Sequence, residues 1–119
     1  MQIEILHSKI HRAIVTDSEL AYEGSIFIDE AILKEAEIVP YQKVEIYNIN
    51  NGERFSTYAV PVLKKGEFCI NGAAARKVQK GDRIIICAFA LVQQQNAIGH
   101  IPKVLLVQES NTNYLVKSQ

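Results

Sequence analysis

Three turn signals cut the middle of the chain into short runs and leave it little choice but a β architecture. Asn50-Asn51-Gly52, Lys64-Lys65-Gly66 and Lys80-Gly81-Asp82 carry residues that tolerate the positive φ of tight turns. Between and around them, residues 44–49, 54–63, 67–70 and 83–92 read as strands. The last of these is apolar throughout after Arg83, the pattern of a strand buried on both faces. Residues 2–15 form an earlier strand in which Lys9 and His11, two apart, share a face, and residues 102–107 form the final one. Helical signals are brief. Asp29 is a good N-cap for a helix to about Glu37, with Ile32, Leu33 and Ala36 on its apolar side and Pro40 closing it. Thr16-Asp-Ser-Glu19 reads as a capping box opening a helical turn, and the segment from Asn71 to Ala75 opens another. Residues 93–99 read as loop. Many short strands at regular spacing with two small helices predict a mainly-β, closed or nearly closed barrel, one domain over residues 1–119.

Composition narrows the function classes. With 13 Lys and Arg against 13 Asp and Glu in 119 residues, the net charge is zero, which argues against a nucleic-acid binder or a protein held on an anionic membrane. The apolar share of 48% and charged share of 22% are those of a globular domain. Cys69 and Cys87 sit in strand-like apolar runs, as buried free thiols would, and two cysteines favour a reducing compartment. The start, Met1-Gln-Ile-Glu4, lacks a basic patch and long apolar stretch, and the run 84–92 is too short to span a bilayer. A cytoplasmic protein without a membrane partner is expected.

Familiar catalytic signatures are missing: there is no His-Glu-x-x-His, no Gly-rich phosphate loop and no Gly-x-Ser-x-Gly elbow. His7 and His11, four apart on a strand, lie about 13 Å from each other, too far to share a metal ion, so no metal site is expected. Three segments remain unusual. In Tyr22-Glu23-Gly24-Ser25 the glycine–serine pair is either an ordinary turn or the seat of an N-to-O acyl shift, in which the hydroxyl attacks the preceding carbonyl. In Arg54-Phe55-Ser56-Thr57-Tyr58, Arg54 and Tyr58 share one strand face. An inward Arg there would seek a carboxylate or phosphate, and the Tyr could donate a proton; the plainer reading is a surface Arg and a half-buried Tyr. Asn71-Gly72-Ala73-Ala74-Ala75 either opens backbone N–H groups to a ligand or packs as a tight short helix.

In order and spacing, these segments resemble the pyruvoyl-dependent aspartate 1-decarboxylases. The resemblance is carried by Lys9-Ile-His11-Arg, Tyr22-Glu-Gly-Ser25, Asn51-Gly-Glu-Arg54-Phe-Ser-Thr-Tyr58-Ala and Asn71-Gly-Ala-Ala-Ala75. The stretches Lys80-Gly-Asp-Arg-Ile-Ile-Ile86 and Pro102-Lys-Val-Leu-Leu-Val107 extend it across nearly the whole chain. It implies a double-psi β-barrel in a homotetramer with active sites between subunits, and a proenzyme that cuts itself between Gly24 and Ser25 with help from Thr57. It leaves room for a helper protein in maturation. Ser25 then becomes a covalent pyruvoyl cofactor, which forms a Schiff base with L-aspartate and accepts the charge left when the α-carboxylate departs as carbon dioxide. β-Alanine, a precursor for pantothenate and coenzyme A, is the implied product.

The resemblance also implies residue roles. Tyr58 is the proton donor. Lys9, Arg54, Thr57, Gly72, Ala73 and Ala74 bind substrate, and His11, Tyr22, Tyr47 and Asn71 are further site-lining candidates. Tyr47 stands where relatives often have Trp, Arg76 follows the alanine run where others vary, and the tail after Glu109 matches little. Cleavage would give a 1–24 piece with Lys9 and Arg12 against Glu4, Asp17, Glu19 and Glu23, net −2, and a 25–119 piece of net +2. The rival expectation is a non-catalytic β-barrel binding module of the DNA-binding kind, which neutral charge disfavours.

Overall fold

A computed structural model describes residues 1–118. The strands are β1 (Gln2–Ile14), β2 (Asp17–Glu19), β3 (Ser25–Asp29), β4 (Lys43–Asn48), β5 (Arg54–Val62), β6 (Phe68–Asn71), β7 (Arg83–Gln93), β8 (Lys103–Val107) and β9 (Tyr114–Ser118). One helix, α1 (Glu30–Ala36), and two 3-10 turns, Gly72–Lys77 and Gln94–Asn96, complete the elements. The sheet order is β2-β6-β3-β5-β4-β7-β1-β8-β9, with parallel pairs β1/β8, β2/β6 and β3/β5 among antiparallel ones.

That order forces the sheet to close. Only Val15 and Thr16 separate β1 from β2, yet β2 sits at the far end of the sheet beside β6. Two residues reach about 7 Å, so the ribbon must curl until its β6 edge returns to β1. The seam is hydrogen-bonded: Val15 N donates to Asp82 O at 2.9 Å, Gly81 N to Val15 O at 2.8 Å and Thr16 N to Phe68 O at 2.9 Å. The continuous β1–β2 strand, β6, β3, β5, β4 and β7 thus form a six-stranded barrel, with β8 and β9 continuing outward from β1.

Alternation along the strands fills the barrel. Ile10, Ile26, Ile28, Ile46, Phe68, Ile70, Ile84 and Ile86 are all fully buried, and their odd-numbered neighbours take the other face of each strand. Helix α1 covers part of the core with Ile32, Leu33 and Ala36. Asp29 starts it as expected: one carboxylate oxygen accepts from Ala31 N at 2.9 Å and the other from Gly66 N at 2.8 Å. Glu37 ends it in the left-handed conformation, φ 61°. Both cysteines are free and buried.

Three expectations need correction. Thr16-Asp-Ser-Glu19 is not a helical cap but leads into β2; Thr16 Oγ1 accepts from Phe68 N at 2.9 Å and the Glu19 carboxylate from Ala21 N at 3.1 Å. Strand β6 took the Thr16 hydroxyl that a helix cap would have used. The run 83–92 is buried only as far as Ala88, while Phe89 and Leu91 are exposed. Beyond Cys87 this strand loses its β4 neighbour and pairs with β1 alone. The tail carries a further strand, β9, paired antiparallel with β8. Among the described residues no helix is long and apolar enough to cross a membrane.

Candidate active site

Ser25 opens β3 directly opposite Asn71, the last residue of β6, in an antiparallel register that continues through Phe27 and Cys69. The Asn71 carboxamide is fully buried and its Nδ2 donates to Ser25 Oγ at 3.1 Å; Ser25 is 4% exposed. On the other side of the carboxamide, the Cys69 thiol donates to Asn71 Oδ1 at 3.3 Å. Burial pushes the Cys69 thiol up to about 11, with Glu67, Asp17 and Glu19 adding in the same direction, so it stays a protonated donor. The next residue, Gly72, has φ +73°, and a Cβ placed on it would lie 2.8 Å from both N and Cα of Gly24. The end of β6 is thus a seat for the Gly24–Ser25 peptide, and only glycine fits at its rim.

Strand β5 flanks the same peptide. Its parallel register with β3 pairs Ile26 with Ala59 and Phe27 with Val60. Carried back one residue, to the start of β3, that register sets Ser25 level with Tyr58. Ser25, Tyr58, Tyr22, Tyr41 and Phe27 line a cavity of about 350 Å³. Its aromatic walls are linked: the Tyr41 and Tyr58 ring centroids are 6.3 Å apart, as are those of Tyr22 and Phe27. Thr57 is half-buried and turns to the opposite face from Tyr58, as strand alternation requires.

Lys9, Tyr47 and Arg54 form a second group. Tyr47 and Arg54 are direct partners across β4 and β5, and the guanidinium lies 4.0 Å from the Tyr47 ring centroid, a cation–π contact. Lys9 is paired with Cys87 across β1 and β7, and Cys87 in turn with Glu45. Burial raises the Cys87 thiol, while Lys9 and Arg54 pull it down, so both cations reach this point of the sheet. Burial also raises the Tyr47 hydroxyl, Cys87 adds to the rise and Arg54 opposes it. His11 lines a cavity of about 340 Å³ with Lys9, Leu6, Pro102, Val104 and Leu106. Its imidazole is held below the usual histidine value, first by desolvation and then by Lys9 and Arg12.

The sequence-derived candidates therefore fall into two places. Gly24, Ser25, Tyr22, Tyr58, Asn71 and Gly72 come together, with Thr57 alongside; Lys9, His11, Tyr47 and Arg54 lie elsewhere. Arg54 and Tyr58 are four residues apart on one strand, about 13 Å. Arg54 is not inward: it shares the exposed, outer side of β5 with Tyr58, because the alternate residues Phe55 and Ala59 take the core side. Ala73 is exposed and Ala74 half-buried against the core in the 3-10 turn. Cys69 and Tyr41 were missing from the candidates. Cys69 could have been found, since two strand positions before Asn71 means the same face.

The sequence matches the family described as Aspartate decarboxylase over residues 1–114. It is 55% identical over 111 residues to a protein of Campylobacter fetus subsp. fetus (strain 82-40) named Aspartate 1-decarboxylase, covering 93% of this chain and 96% of that one. Proteins of the same name from Syntrophus aciditrophicus (strain SB) and Helicobacter pylori (strain ATCC 700392 / 26695) are each 52% identical. Each alignment covers 93% of this chain, and respectively 97% and 95% of those relatives. On these matches, the chain belongs to the aspartate decarboxylase family.

Proposed function

We propose that this protein is a lyase that removes the α-carboxylate of L-aspartate to give β-alanine, after cutting its own chain between Gly24 and Ser25. The observation that carries this reading is the seat of that peptide, with Asn71 Nδ2 on the Ser25 hydroxyl and Gly72 packed against Gly24. In the first step Ser25 Oγ adds to the Gly24 carbonyl carbon. The Oγ–C bond forms, the C–N bond breaks, and the hydroxyl proton ends on the Ser25 nitrogen. Loss of the Ser25 Cα proton then breaks the Cβ–Oγ bond, freeing the Gly24 carboxyl group. One water hydrolyses the resulting dehydroalanine to a pyruvoyl group and one ammonia. Thr57, next to Tyr58 on β5, assists by hydrogen bonding near the carbonyl.

The residues fit such a group: position 25 faces a cavity walled by Tyr22, Tyr41 and Tyr58, with the backbone of the 72–74 turn following Asn71. A pyruvoyl group there supplies an electron sink for the carbanion left by decarboxylation. Tyr58 lines the same cavity and returns the proton. Arg54 holds a substrate carboxylate by a charge-assisted fork, Lys9 adds positive field, and the N–H groups of Gly72, Ala73 and Ala74 bind the substrate. Aspartate is too short to bridge the roughly 13 Å between Arg54 and Tyr58 of one chain. The outward position of both groups supports a homotetramer in which neighbouring subunits complete each site. The product is β-alanine for pantothenate and coenzyme A precursor supply, and the reaction is cytoplasmic.

The test is product formation from L-aspartate by purified protein and by Ser25→Ala. Wild type should release β-alanine and the variant none. Equal turnover by the variant would remove Ser25 from the mechanism.

A further inference from the structure

Ser25, Asn71 and Cys69 form a buried relay of three side chains. Cys69 and Asn71 occupy the same face of β6, two residues apart, opposite Phe27 and Ser25 of β3. Cys69 is 6% exposed and Asn71 0%, so water does not compete for their polar atoms. A carboxamide can present either its oxygen or its nitrogen to a neighbour. Here the oxygen accepts from the Cys69 thiol at 3.3 Å, which turns the nitrogen toward Ser25 Oγ at 3.1 Å.

The two orientations have opposite consequences for the hydroxyl. With the nitrogen donating, one lone pair of Oγ is fixed and the hydroxyl proton is left free to move as Oγ attacks. With the oxygen facing Ser25, the hydroxyl would donate into Asn71, and its proton would be held away from the peptide nitrogen that must receive it. We infer that Cys69 is a positioning residue for self-cleavage, its thiol holding the Asn71 carboxamide with the nitrogen on Ser25. This rests on the proposed cleavage at Gly24–Ser25 and adds to it a residue that touches neither the scissile bond nor the substrate. The thiol acts as a donor only, with no redox change and no covalent bond to sulfur. Its raised pKa keeps the proton in place for that task.

The experiment follows the rate of chain splitting by intact-mass spectrometry on freshly purified full-length protein, for wild type, Cys69→Ser, Cys69→Val and Ser25→Ala. Serine keeps a donor at this point; valine keeps the site apolar and filled and removes the donor. Cys69→Val should split about tenfold more slowly than wild type, the factor one ordinary hydrogen bond supplies. Cys69→Ser should stay within about threefold of wild type, and both variants should keep thermal midpoints close to each other. Equal rates for Cys69→Val and wild type would overturn the inference, as would equal slowing in Cys69→Ser and Cys69→Val. If Cys69→Val fails to fold, Cys69→Ala takes its place under the same criteria. Failure of wild type itself to split, with a mass identical in form to that of Ser25→Ala, would instead overturn the cleavage on which the inference rests.

Discussion

Gly72 and Gly24 touch backbone to backbone: a Cβ on Gly72 would meet both N and Cα of Gly24 at 2.8 Å and the Tyr22 carbonyl oxygen at 3.2 Å. None of these atoms can swing aside as the end of a long side chain could. Gly72 also has φ +73°, where an L side chain is strained. Gly72→Ala should therefore destabilise the fold by about 1–3 kcal/mol and shift the Gly24 carbonyl relative to the Ser25 hydroxyl. Urea unfolding should show the loss of stability, and intact mass should show a chain that stays whole.

On the proposed reading, Arg54 serves substrate binding and not processing. Its guanidinium contacts the Tyr47 ring, and about 13 Å of strand separates it from Tyr58. In Arg54→Ala the chain should still split, while kcat/KM for L-aspartate should fall by about tenfold to a hundredfold or more, the worth of a lost charge-assisted contact. Parallel mass and turnover measurements on one preparation check both halves of this statement.

Asp29 joins two distant parts of the fold. It accepts from Ala31 N at the start of α1 and from Gly66 N in the turn before β6, and it is 4% exposed. Asp29→Ala removes the cap and leaves the Gly66 N–H without its acceptor. A cost of about 2–4 kcal/mol is expected from urea unfolding of the uncut Ser25→Ala chain with and without the change.

His11 makes stability depend on pH. Desolvation, with Lys9 and Arg12 nearby, lowers its pKa from 6.5, so the folded state binds this proton less readily than the unfolded state. Its contribution is present above pH 6.5 and is lost as pH falls through the lower folded value. His11→Asn should flatten the stability curve below pH 6.5 while leaving it parallel to wild type above. Urea midpoints across that range measure it.

Much of this organisation was visible in the residues. The turns at Asn50-Asn51-Gly52 and Lys80-Gly81-Asp82 fall between strands, and the Arg54–Val62 strand shows its alternation because one side faces solvent. Local signals failed where distant partners compete for the same atoms. Thr16 has the makings of a cap, but its hydroxyl is taken by Phe68, 52 residues away. Asn111 sits in an unpromising tail, yet its side chain bonds Ile14, 97 residues away, and the Gly66 carbonyl. Those bonds anchor the approach to β9. The separation of Lys9 and Arg54 from Ser25 was also hidden, because it depends on strand order and on which face of the barrel is outside.

The central claim is that one 119-residue chain becomes two by its own chemistry at Gly24–Ser25. Intact-mass spectrometry of purified, active protein under denaturing conditions tests it most directly. The account predicts pieces of residues 1–24 and 25–119, the second beginning with a pyruvoyl group in place of serine. A single uncut 13.4 kDa species with full decarboxylase activity would contradict it.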